Sequence, residues 1–156
     1  MSSTFENFVT RFNRRKDLVP ALESDLVFME SALNTVLPSS YRQFVLTYGA
    51  VFTPSLLNLI VGHKLELFDV QNITSPREAV EGTTAYWSGG MPDDFIGFAN
   101  DCMGNLFGFK RVTPPAVRPA DAAVYVFDHD FVEVFEVAPS FEALLASYLA
   151  IPEGPV

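Results

Sequence analysis

Cys102, His63, His129 and a set of carboxylates are the side chains of this 156-residue sequence whose types and spacing invite a chemical reading. A thiol with an imidazole base is a nucleophilic pair. Cys102 and His129 would form one only with an activated thiolate, and a lone cysteine in a turn has no evident means of activation. Asp128-His129-Asp130 sets three potential metal ligands in a row. Consecutive side chains at a strand end point in different directions, so these three do not converge as metal ligands do. His63 stands beside Lys64 and reads as a solvated turn residue. Asp93-Asp94 and Asp101 suggest a carboxylate pair of the kind used for acid–base chemistry. Aspartate is equally at home in turns, where it bonds to nearby backbone, and both places look like turns or loops.

Motifs that build reactive sites are absent from the sequence. There is no phosphate-binding Walker loop, no G-x-G-x-x-G, no H-E-x-x-H and no paired C-x-x-C. There is no G-x-S-x-G elbow. No catalytic residue, cofactor or metal is therefore expected, and the protein is expected not to be an enzyme. The same acidic residues have a second use as a recognition surface. Trp87, the single tryptophan, could anchor such a surface or pack on the body of the domain. The candidate partner-binding residues are Trp87, Asp93, Asp94, Asp101, Asp128 and Asp130.

The charge either favours a binding role or mainly aids solubility. Net charge is −9, and it is unevenly spread. Arg11, Arg14, Arg15 and Lys16 are four of only ten basic residues, and beyond residue 16 six basic residues face eighteen acidic ones. No Lys or Arg follows Arg118. Such a field repels nucleic-acid phosphates and attracts a basic partner. With one cysteine no intrachain disulfide forms, so nothing points to an oxidising compartment. No run of about 18 apolar residues exists to span a membrane, and the polar start Met1-Ser2-Ser3-Thr4 lacks a signal-peptide core. The expected location is the cytosol.

The elements that must carry these residues follow from periodicity. Phe5, Phe8, Val9 and Phe12 share a helical face, with Thr4 as a candidate cap. A second helix is expected over Ser24–Asn34, capped by Ser24, and a third starts at Pro38 and ends at Gly49. Leu56–Val61 and Leu65–Val70 are short apolar runs that read as two strands turning at Gly62-His63-Lys64. Ser75-Pro76-Arg77-Glu78 is a capping box opening a helix towards Trp87. Strands are expected at Phe95–Asn100, Leu106–Arg111, Ala122–Asp128 and Val132–Ala138, in two hairpins. Ser140 caps a last helix with Phe141, Leu144, Leu145, Tyr148 and Leu149 on one face, and the tail from Pro152 is expected to fray. The sum is one α+β domain over 1–156. It has an antiparallel sheet of about five to six strands, with helices from both chain ends packed on it.

Leu37-Pro38-Ser39-Ser40-Tyr41-Arg42-Gln43-Phe44, ending in Tyr48-Gly49, resembles the helix opening of the SUKH superfamily, which includes bacterial immunity proteins and fungal cell-wall synthesis regulators. Trp87 before a loop, Phe95–Ala99, Gly104-Asn105, Val124–Asp128 and Ser140-Phe141 follow in the family's order. The resemblance covers about residues 24–150 and leaves the helix before residue 20 outside. Leu37, Pro38, Tyr41, Phe44, Gly49, Gly104 and Asn105 are its structural positions. Asn105 stands where the family often has Asp, and Ala50 where it frequently has a second glycine. The resemblance implies a non-enzymatic protein that binds and neutralises a toxin, often a nuclease, whose basic groove an acidic inhibitor would fit. A regulatory or scaffold module binding a host protein or small ligand is the alternative. In that case the Phe5–Phe12 stripe and its basic run would be the docking element.

Overall fold

The computed structural model describes residues 2–153. The fraying expected for the last residues falls, for 154–156, outside them. Six strands form one antiparallel meander in chain order: β1 Val51–Phe52, β2 Val70–Ile73, β3 Phe95–Asp101, β4 Leu106–Lys110, β5 Val124–Asp128 and β6 Glu133–Ala138. The helices are α1 Ser3–Phe12, α2 Glu23–Leu33, α3 Ser39–Tyr48, α4 Leu57–Gly62, α5 Pro76–Ser88 and α6 Phe141–Leu149. This is the α+β architecture expected from the sequence.

One sheet face packs against helices from both chain ends. Phe141 of α6 is the hub. Its ring lies 5.4 Å from Phe44 of α3, 5.4 Å from Phe98 of β3 and 5.7 Å from Phe5 of α1. Tyr41 adds edge and tilted contacts to Phe98, Phe109 and Phe141, and its burial pushes the phenol's pKa well up. α5 covers the other face. Its Thr83 hydroxyl donates to the Gly97 carbonyl at 3.2 Å and accepts from the Gly97 amide at 3.0 Å. Met91, Phe95, Leu106 and Phe127 form a smaller core on that side.

Local signals explain most boundaries. Ser75 accepts from the Glu78 amide at 3.2 Å and Glu78 reaches back to the Ser75 amide, closing the capping box that starts α5. Ser140 accepts from the Ala143 amide at 3.0 Å to start α6. Gly49 ends α3 at φ +71°, ψ −147°, a region open in practice only to glycine.

Several expectations require correction. Ser2, not Thr4, caps α1, accepting from the Thr4 amide. Ser24 lies inside α2, which is opened instead by the Asp25 carboxylate accepting from the Leu22 amide at 3.0 Å. Pro38 is the residue before α3 rather than its first turn. The hairpin expected from Leu56–Val61 and Leu65–Val70 does not form. The first run is α4, with Leu56 and Ile60 buried one turn apart while Leu57 and Val61 stay exposed. A short apolar run fits either period, and here the buried Asp69 carboxylate accepts from the Leu56 amide at 2.8 Å, fixing the chain just before the helix. The second run stays irregular until Val70, where β2 begins.

The docking role considered for the Phe5–Phe12 stripe is also overturned. Phe5, Phe8, Val9 and Phe12 are all buried, and α1 packs along α6. Arg11 donates to the carbonyls of Leu149 and Ile151 at 3.0 and 2.6 Å, tying the two ends of the chain together. The helix is part of the core.

Candidate partner-binding site

The meander brings the β3–β4 and β5–β6 turns to the same end of the sheet, because Leu106 pairs with Phe127 and Asn100 with Leu106. Asp101 builds the first turn. One of its oxygens accepts from the amides of Met103 and Asn105 at 2.7 and 2.9 Å, and the other accepts from the Asn105 side chain at 2.9 Å. Gly104 takes φ +88° in this turn, and the Tyr86 hydroxyl donates to its carbonyl at 2.6 Å. Asn105 then accepts from the His129 amide at 3.2 Å, and His129 Nε2 lies 2.7 Å from the Met103 carbonyl. A carbonyl only accepts, so Nε2 carries the proton. The two turns are thus one hydrogen-bonded unit.

Asp128 holds the second turn, accepting from the amides of Asp130 and Phe131 at 2.9 and 3.2 Å. Asp130 is exposed, with its carboxylate 3.6 Å from His129 Nδ1. Val132 sits at φ +53°, an unusual conformation for a β-branched residue. The turn leaves Phe131 74% exposed and Val132 60%, and Met103 on the neighbouring turn is 64% exposed. This end of the sheet therefore presents three uncovered apolar side chains among Asp128, Asp130 and Glu133. An apolar centre with a charged rim is the anatomy of a protein interface.

Asp93 and Asp94 lie elsewhere. They are exposed in the loop between α5 and β3, where Asp94 pairs with Lys110 at 3.4 Å. That loop is separated from the turns by the length of β3, roughly 20 Å at ~3.3 Å per residue. Trp87 is half-buried beside it. Its indole N–H donates to the Phe95 carbonyl at 3.0 Å, and the Arg111 guanidinium stacks 4.9 Å from its ring. The six candidates thus divide. Asp101, Asp128 and Asp130 gather at the turn end, with Asp101 buried and bonded inward. Trp87, Asp93 and Asp94 belong to the opposite end.

Sequence reasoning missed Met103, Phe131 and Val132. The available signal was an apolar pair directly after the Asp128-His129-Asp130 turn, where solvated residues are expected.

The reactive alternatives find little support in the geometry. Cys102 is exposed, but local desolvation and a hydrogen bond to Asp69 push its thiol up from 9.0, away from the thiolate. Asp128 accepts from the Asp130 and Phe131 amides and His129 Nε2 bonds to the Met103 carbonyl, so of the Asp128-His129-Asp130 side chains only His129 and Asp130 approach each other, at 3.6 Å. A second feature is a cleft of about 330 Å³ between α5 and β3, lined by Glu78, Glu81, Gly82, Tyr86 and Asp101.

The SMI1/KNR4 family (SUKH-1) matches residues 20–147, from just before α2 to within α6. No curated protein matches the chain. The family positions Leu37, Pro38, Tyr41 and Phe44 are buried, and Gly49 and Gly104 adopt positive φ. Among the described residues no helix is long and apolar enough to cross a membrane.

Proposed function

The chain belongs to the SMI1/KNR4 family (SUKH-1), and from that premise we propose that it is a non-enzymatic protein-binding domain that neutralises a basic toxin, a nuclease being the best match in charge. The single observation that carries this reading is the joined turn end. Met103, Phe131 and Val132 are uncovered there, amid Asp128, Asp130 and Glu133. Carboxylates around such a patch present a nuclease groove with the sign of charge its phosphate substrate carries. The raised thiol of Cys102 supports the non-enzymatic part. A cytosolic site of action is part of the proposal.

The test is co-expression with the toxin C-terminal domains encoded in the same genome, followed by capture at low and high salt. One toxin captured, silenced and released as salt rises supports the reading. Capture indifferent to salt removes the charge mechanism, and no capture across the set removes the antidote role. The regulatory reading, with a small ligand, is favoured by one observation, the cleft between α5 and β3, whose volume lies at the small end of ligand sites.

A further inference from the structure

The sheet has two edges, and they differ. β1 is only two residues long, and a short edge offers little to pair with. β6 is six residues long, Glu133–Ala138, and holds neither Pro nor Lys. Among the described residues, no backbone hydrogen bond outside the β5–β6 ladder involves 133–138. Its outward N–H and C=O groups are therefore a free template for another strand.

A cleft runs beside this edge. It has a volume of about 230 Å³ and lies between Glu66–Phe68 and Phe135–Val137, with Leu144 and Tyr148 behind. Leu67, Phe68, Phe107, Phe135, Val137 and Leu144 give it apolar patches among polar lining. The Phe68 ring lies 5.4 Å from that of Phe135, and the Tyr148 hydroxyl donates to the Phe68 carbonyl at 2.6 Å, fixing that segment. Of the two charged residues along it, Glu136 pairs with Tyr125 and alternates with Phe135, so its side chain leaves the other face of β6, while the exposed Glu66 is the carboxylate at the mouth, and no Lys or Arg lines the cleft. A partly apolar slot with an acidic mouth suits a long side chain with an aliphatic stem and a cationic head. A second copy of this chain is a poor occupant, since antiparallel β6–β6 pairing would bring Glu133 and Glu136 against like charges.

We propose that β6 receives an extended segment of a partner protein by strand addition, with an arginine or lysine of that segment seated in the adjoining cleft beside Glu66. Main-chain bonds along the edge supply affinity, and the cleft reads one alternate side chain. The inference rests on the protein-binding reading above and specifies the docking mode. It places the partner along β6 as well as over the joined turns at its start.

The test uses synthetic peptides and the full chain labelled for amide NMR. The probe is Val-Arg-Val-Arg-Val-Arg, with Val-Glu-Val-Glu-Val-Glu as its counterpart. The expected result is shifts confined to the amides of 133–138 and 66–68 with the arginine peptide alone. Glu66→Lys should weaken that binding at least fivefold while leaving the remaining spectrum folded. Shifts centred on 101–105 and 128–132, equal response to the glutamate peptide, or no shift up to the peptide's solubility would overturn the proposal. Toxin capture reads binding through any surface. Capture without edge shifts therefore defeats strand addition alone, and edge shifts without capture defeat the antidote reading alone.

Discussion

Replacing Gly49 by alanine tests the account of how the family motif shapes this domain. Gly49 follows α3 at φ +71°, ψ −147°, and holding a residue with a Cβ in this region costs about 1–3 kcal/mol. A Cβ there would also stand 1.9 Å from the Val19 carbonyl oxygen, so the segment before Pro20 must move. That movement strains the bond from the Ala21 amide to the Val45 carbonyl, 2.9 Å long, worth about 0.5–1.5 kcal/mol net. The combined loss is about 2–4 kcal/mol, or roughly 4–16 °C in Tm for a domain of this size. Gly82 is the internal comparison. It sits in mid-helix with open space where a Cβ would go, so Gly82→Ala should stabilise by about 0.5–1 kcal/mol. Urea titrations of both variants against the wild type would measure the two effects. A Gly49→Ala loss below about 1 kcal/mol, or a loss at Gly82, would refute the conformational reasoning.

Phe8, fully buried beside Phe12 and Tyr148, should cost about 3–5 kcal/mol on change to alanine, and removing residues 1–20 should abolish cooperative thermal unfolding. A truncated chain that melts sharply would restore α1 as a separable arm. The Asp25 carboxylate is held below its usual 3.8 by the Leu22 amide and by Arg77, 2.8 Å away. A carboxyl depressed in the folded state stabilises fully above pH ~4 and loses its contribution as pH falls through the lower folded value. The stability gap between wild type and Asp25→Asn should therefore be open at pH 7 and close in acid, and a gap that widens in acid would contradict the sign. Cys102, with its thiol raised above 9.0, should alkylate more slowly than free cysteine at pH 8, and Cys102→Ala should retain full partner capture. Rapid alkylation or lost capture would reopen a catalytic role.

Elements governed by local rules were legible in the sequence. The stripe from Phe141 to Leu149, the Ser75–Glu78 box and the stop at Gly49 each depend on residues within a turn of one another. Where the deciding partner is remote in sequence, local pattern failed. Leu56–Val61 became a helix with Asp69, thirteen residues on, bound to its start. The site behaved alike. Asp101 and Asp128 were identifiable as turn residues, but their joining through Asn105 and His129 depends on the register of β4 with β5. Separating Asp93 and Asp94 from them required knowing which end of β3 each occupies. The outer edge at β6 was not legible either, because an edge is a property of strand order rather than of the strand itself.

The most direct test of a binding role is to titrate the captured toxin's activity with the purified protein. The account predicts a sharp end point at equal molar amounts, recovery of activity when high salt dissociates the pair, and a weaker end point for Asp130→Lys, by about tenfold in affinity or ~1.4 kcal/mol. Lasting inactivation by far less than one equivalent, with no recovery in salt, would mean that the protein turns over, and would contradict the claim that it acts by binding.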